Sequence, residues 1–385
     1  MVAKRATLDD FVVVDCDVHV HEMPADLIPY IDMPWRVSLE TIATNAQKYL
    51  EIGYLDVPAF SPGASGSSFG PVWPSSHEAL RVVLTPEAMR DELSSINVDI
   101  GILFPDSMLK LATITDEEYA AALARAYNAW LVDTWCRPEQ GLVGCLVASP
   151  QAPEDAAAEI EKYANHPGVA GVYLPGAAVD PLWGDRKYDP IFRAAEAADF
   201  AVLLHSVGIV HPVYPFNTQG FTSGFGRHTT SHTFSMMANV VDMVSTGVPE
   251  RFPNLRICYT EAGVAWVPFV MMRMDRAYEE GREEVSFLTK PPSEYIKSFF
   301  YATQPIEEPQ SLADMVRLVN LYNGENQTVF ASDWPHHDFD HPNKIHQMPF
   351  SDEAKAKIFG QNALRLFNID AQGRRLSLSQ EAASR

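Results

Sequence analysis

DCDVHVHE, residues 15–22, stands directly behind the apolar run FVVV at residues 11–14. Three acids and two histidines in eight positions exceed what a turn at a strand end needs, since one or two polar residues satisfy such a turn. Side chains at i and i+2 share one face of an extended strand, so Asp17, His19 and His21 are expected to point the same way. If that way is the interior of a barrel, imidazoles and carboxylate together can hold a divalent cation. The stretch therefore raises the question of what sheet the strand belongs to.

Short β-rich runs alternate with longer helical patterns along the chain, the pattern of βα units around a parallel sheet. Strands are expected at Phe11–Val14, Asp99–Phe104, Leu142–Ala148, Ala170–Leu174, Ala201–Leu204, Arg256–Tyr259, Ser298–Ala302 and Thr328–Ala331. Thr85-Pro86-Glu87 reads as an N-cap followed by proline at the first helical position, opening a helix to Ile96. Further helices are expected over Asp116–Trp135, Glu154–Ala164, Asp189–Ala198, Met236–Val244 and Trp266–Tyr278. Eight strands with helical segments between most of them predict a closed (β/α)8 TIM barrel. It forms a single domain over residues 1–385, with a loop-rich insert after strand one at about 24–98 and a tail at about 370–385. The centre of the insert, PAFSPGASGSSFGPVWPSS at residues 58–76, is rich in Gly, Pro and Ser. An open doubly wound sheet is the rival, but no Gly-rich dinucleotide fingerprint or phosphate-binding loop follows any strand.

A hydrophobic content of 46% is ample for a deep core. No run approaches the roughly 18 apolar residues of a membrane span, and MVAKRATLDD lacks the apolar centre of a secretory signal. The cysteines, Cys16, Cys136, Cys145 and Cys258, are widely spaced and form no CxxC pair, which points to a reducing cytoplasm. A net charge of -21 argues against nucleic-acid and anionic-membrane partners. The expected partners are a small-molecule substrate and further subunits, in a homo- or hetero-oligomer.

Barrel enzymes draw their chemistry from the C-terminal ends of the strands. Strand one ends in Asp17, His19 and His21, strand five in His205 (AVLLHSVG), strand six in Glu261 (ICYTEAG) and strand eight in Asp333 (TVFASDWPHHD). One such residue is explained by a solvated strand end; four strands delivering them at the same place point to a metal site. Nitrogen and oxygen donors without thiolate suit Zn, Fe or Mn. The cation would acidify a bound water or polarise a substrate carboxylate, with Asp333 or Glu261 moving the proton. His228 and His232 in GRHTTSH lie four apart, as two ligands on one helix face would, or as partners of ligands. His336 and His337 follow Asp333 as candidates for metal or substrate contact. Asp15 and Glu22 read as supporting or capping groups, His211 as a loop residue, and Arg273 and Asp275 as structural. Phe60, Phe69 and Trp73 either roof the site or pack elsewhere.

DCDVHVHEMP, KYDPIFRAAEAADFAVLLHSVG, VPERFPNLRICYTEAGVAWVPFVMMRMDRAYE, FFYATQPIEEP and FASDWPHHD follow one another in this order over nearly the whole chain. With them the chain resembles the amidohydrolase-related (amidohydrolase 2) family of the amidohydrolase superfamily, which includes the aminocarboxymuconate semialdehyde and resorcylate decarboxylases. The resemblance implies a metal-dependent barrel with His19, His205 and Asp333 at matching ligand positions, completed by Asp17 or His21. Two departures stand out. The decarboxylases carry an acid–base histidine where this chain has Glu261, and strand four ends in Tyr173-Leu174-Pro175 with no lysine to bridge two metals. Glu261 and His232 are instead similar to the TEAG-type members with dinuclear iron or iron–manganese centres, such as a 2-aminoisobutyrate hydroxylase. The implied function is hydrolysis or non-oxidative decarboxylation of a small organic acid or amide with one divalent cation. The alternatives are a dinuclear non-heme Fe/Mn oxygenase with two, and a non-catalytic partner subunit.

Overall fold

Runs rich in Val, Ile, Leu and Cys are buried on both faces when helices cover a parallel sheet from outside and its side chains fill the inside. The computed structural model describes residues 6–44, 85–207, 221–336 and 338–376. Its strands are β1 Val14–Val20, β2 Ile100–Pro105, β3 Leu142–Val147, β4 Val169–Pro175, β5 Ala201–His205, β6 Ile257–Thr260, β7 Phe300–Ala302 and β8 Thr328–Val329. All their residues are buried. Neighbours pair in parallel in the order β1 to β8. The ring closes where the chain beyond β8 runs beside β1: Cys16 N–H donates to Phe330 O at 2.9 Å and His19 N–H to Trp334 O at 2.8 Å. This is the (β/α)8 barrel.

The Thr85 cap holds where expected, and Asp116 caps a second helix. Thr85 Oγ1 accepts from Ala88 N–H at 3.2 Å, and the Asp116 carboxylate accepts from Tyr119 N–H at 2.9 Å to open the helix Glu117–Trp130. Within that helix, buried Asn128 accepts from Val147 N–H at 2.8 Å and donates to Val147 O at 3.1 Å, tying the helix to the end of β3.

Two boundaries differ from expectation by several residues, each for a physical reason. β1 starts at Val14 rather than Phe11, because Val13 N–H is taken by the Asp99 carboxylate at 2.8 Å and Val12 faces solvent. The polar stretch is thus the strand itself, kept extended where the barrel interior turns polar. Its pairing with β2 slips between Asp15 and Val18, a bulge of the kind that re-aims side chains beside active sites. The helix expected at Met236–Val244 runs over Gly224–Ser245, opened by Ser223 Oγ accepting from Gly226 N–H at 3.1 Å. Its first turns, GRHTTSHT, lack apolar periodicity and so gave no helical signal. Of the insert, the helices Pro24–Leu27, Trp35–Thr44 and Pro86–Ser95 are described. The stretch at 58–76 with Phe60, Phe69 and Trp73, and likewise His211, His337 and the chain from 377, lie outside the described residues. No described helix is long and apolar enough to cross a membrane.

Candidate metal centre

Asp17 and His19 on β1, His205 at the end of β5 and Asp333 just past β8 each present a donor atom, all within 4.8 Å of one another, and all four side chains are buried. His19 Nε2 lies 3.2 Å from Asp17 Oδ1 and 3.0 Å from Asp333 Oδ1, and His205 Nε2 lies 3.2 Å from Asp17 Oδ1. The outward nitrogens are already engaged. His19 Nδ1 is 2.6 Å from Pro105 O and His205 Nδ1 is 2.7 Å from Ser206 O. A backbone acceptor on one ring nitrogen fixes the tautomer that leaves the other free to bind metal. Asp17 Oδ2 is buried without a hydrogen-bond partner. An orphaned carboxylate oxygen at the point where the other donors converge is costly unless something occupies that point, and two imidazoles with two carboxylates fit a divalent cation.

Electrostatics point the same way. Burial works against ionisation of Asp333, yet the His336 charge and hydrogen bonds from His19 and His336 hold its carboxyl well below the usual range. Burial opposes ionisation of Asp17 as well, and the His205 charge with hydrogen bonds from both histidines outweighs it. Burial and the neighbouring His336 disfavour a charged His19, but its bonds to Asp17 and Asp333 hold it up at about 10. The cluster demands positive charge at its centre.

Glu261 closes one side. Its Oε2 accepts from Ser206 Oγ at 2.6 Å and lies 3.3 Å from His205 Nδ1. Burial, with the charges of Asp333 and Asp17 against an opposing His205, pushes its carboxyl up to about 8. Glu261 and Asp333 both adopt left-handed backbone, φ 59° and 61°. Such conformations cost free energy in non-glycine residues and collect at functional sites. Two residues on, Gly263 has φ 64°, and a Cβ there would fall 2.5 Å from a Glu307 carboxylate oxygen. That carboxylate accepts from Val264 N–H at 3.1 Å and Ala265 N–H at 3.2 Å. QPIEEP therefore holds the backbone at and just past the end of TEAG, through Glu307 and through Gln304 O, which accepts from Gly263 N–H at 3.3 Å.

The structure separates the remaining sequence candidates. His21 leaves the expected shared face: it lies beyond the end of β1 at Val20, is about one-third exposed, and pairs with Asp106. His232 is buried with Nδ1 3.5 Å from Glu261 Oε1, and neither of its ring nitrogens has a hydrogen-bond partner. His228 contacts it ring to ring at 5.1 Å, one turn up the helix Gly224–Ser245. Glu261, Asp333 and His336 form a second convergent donor group that shares Asp333 with the first. Asp15 accepts from Ser332 N–H at 2.9 Å and from Ser332 Oγ, latching the turn that carries Asp333. Glu22 accepts from Asp106 N–H and Met108 N–H, and Asp275 from Ser293 N–H. Sequence reasoning missed Asp106, Ser206 and Gln304, whose Nε2 donates to Asp333 Oδ2 at 3.3 Å. Asp106 carried a usable signal, since it follows a strand as the other candidates do; ending that strand at Phe104 hid it.

A profile of the family described as "Amidohydrolase" matches residues 15–369. The chain is 25% identical over 271 residues to a gamma-resorcylate decarboxylase of Polaromonas sp. (strain JS666 / ATCC BAA-500), covering 67% of this chain and 79% of the relative. In fold it is similar to 5-carboxyvanillate decarboxylase from Sphingomonas paucimobilis, with TM-score 0.69, 22% identity and coverage of 94% and 100% of the two chains. It is also similar to 5-carboxyvanillate decarboxylase from Novosphingobium aromaticivorans DSM 12444, solved with manganese and 4-hydroxy-3-methoxy-5-nitrobenzoic acid. There the TM-score is 0.67, the identity 19% and the coverage 93% and 96%.

Proposed function

Since the chain belongs to the amidohydrolase family, we propose that it is a metal-dependent enzyme that removes carbon dioxide, without oxidation, from a small aromatic or unsaturated carboxylic acid. The convergence of Asp17, His19, His205 and Asp333 carries this reading, and the decarboxylase names of its relatives set the reaction class. These four residues would hold the cation, Mn, Zn or Fe. When bound, it supplies Lewis acidity that anchors the substrate carboxylate and withdraws charge from the carbon that must accept the electron pair. Breaking the C–C bond leaves that pair on carbon, where a proton must arrive. Glu261, kept protonated near neutral pH by burial, stands beside the cluster as the donor, replacing the histidine of the resembling decarboxylases. Ser206 and His205 fix its carboxyl from one side, and His232 faces it from the other.

A second reading, a dinuclear non-heme Fe/Mn oxygenase, is favoured by one observation. The second donor group shares Asp333, and the unpartnered nitrogens of His232 adjoin it. Elemental analysis of protein purified without chelator, with an anaerobic screen of hydroxybenzoates, amides and unsaturated acids, tests both. One cation and oxygen-independent CO2 release support decarboxylation. Two Fe or Mn with oxygen consumption support the oxygenase, and hydrolysis of an amide without CO2 release replaces decarboxylation by hydrolysis. Protein that binds no metal sinks them all.

A further inference from the structure

The end of β2 has no part in the chemistry above, yet two of the clustered histidines are anchored to it. The Pro105 carbonyl takes His19 Nδ1 at 2.6 Å. The next residue, Asp106, sets its Oδ1 3.6 Å from His336 Nε2 and pairs through Oδ2 with His21 Nδ1. Asp106 is itself pinned: its N–H donates to Glu22 at 3.2 Å, and the other oxygen of Glu22 takes Met108 N–H at 2.7 Å. His336 lies flat on His19, ring centroids 4.1 Å apart, with Nδ1 2.6 Å from Asp333 Oδ1.

We infer that Asp106 is a positioning residue that fixes His336 against the metal-donor cluster, as the neighbouring Pro105 carbonyl fixes His19. An imidazole stacked by one face still chooses which nitrogen it turns inward, and an acceptor behind the other nitrogen makes that choice. His19 and His205 each have such an acceptor in a backbone carbonyl; for His336 the one described is the Asp106 carboxylate, at ion-pair rather than hydrogen-bond distance. Without it Nε2 of His336, whose side chain is 19% exposed, opens to water and the ring is free to leave the stack. His21 is the second arm of the clamp. By occupying Oδ2 from a part-exposed position it holds the carboxylate plane so that Oδ1 faces inward.

The binding test rests on the metal-centre reading; a structural test does not. Asp106→Asn keeps the volume but offers one acceptor instead of two. Titrated with Co2+, it is expected to bind about 10–100-fold more weakly than the parent, the usual loss when outer support of the metal ligands is removed, because His336 would no longer hold Asp333 and His19, with a shifted visible absorption band. In a His336→Ala background the same substitution should change Co2+ affinity by less than about twofold, because a residue acting through His336 has nothing left to act on. Equal losses in both backgrounds overturn the inference. Asp106→Glu, which keeps the charge but displaces the carboxylate by a methylene, runs the same cycle if Asp106→Asn does not fold. A crystal structure of either variant should show the His336 ring moved off His19; a ring still stacked also overturns it. Parent protein that binds no Co2+ sinks the metal-centre reading, and the ring position then decides the role of Asp106 alone.

Discussion

Acid should loosen the cation at a rate set by the histidines. As the proposed ligands, His19 and His205 could bind metal only as neutral imidazoles. In the metal-free cluster burial works against their charged forms, yet Asp17 and Asp333 hold His19 up at about 10, and Asp17 and Glu261 raise His205. Protonated His19 therefore stabilises the metal-free fold fully below its unfolded value, and that stabilisation is lost as pH rises through about 10. The cation has to displace this proton. At pH 7, about three pH units below the folded value, the displacement costs on the order of 4 kcal/mol. Affinity should then rise roughly tenfold per pH unit for each proton released, between about pH 6.5 and 8.5. Calorimetric titration of the apo-protein with Mn2+ under nitrogen, in two buffers of different ionisation enthalpy, measures both the affinity and the proton count. At least one proton per cation is expected. A flat affinity with no proton released would show that the cation does not bind at His19 and His205.

Three further outcomes follow from single contacts. His19→Ala should abolish metal retention in elemental analysis, and full occupancy in that variant would refute the placement of the site. Asn128→Ala leaves Val147 N–H and C=O buried and unpaired, which should cost about 2–4 kcal/mol in urea unfolding; a loss under about 1 kcal/mol contradicts the tie between helix and β3. Asp15 is pushed up to about 7, chiefly by burial, so the folded state binds its proton more tightly than the unfolded state and stability from this group falls as pH rises from about 4 to 7. Asp15→Asn should flatten that slope, and an unchanged slope would exclude Asp15 as its source.

Much of this site is legible in the chain. Alternation of short apolar runs with helical patterns yields the barrel, because a parallel sheet needs crossovers and buried strands. LLHS, TEAG and ASDWP mark strand ends because polar residues there interrupt otherwise apolar runs, whereas DCDVHVHE, expected at a strand end, is the first strand itself. The misread parts have two causes. The start of β1 and the extent of β2 depend on partners distant in sequence, such as the Asp99 carboxylate over Val13 N–H and the pairing of Val20 with Pro105, while the first turns of the helix Gly224–Ser245 are polar and carry no apolar stripe.

The sequence alone determined which residue types could hold a cation and that a barrel would bring them to one end, because side-chain chemistry and hydrophobic periodicity are local properties. Tertiary structure alone decided which of them meet. The bulge in β1 and the closure of β8 onto β1 turn Asp17 and His19 inward toward His205 and Asp333, while His21, just past the strand, turns to Asp106. Distances of a few ångströms between residues up to 316 positions apart are set by register and backbone twist, which no single stretch of chain encodes.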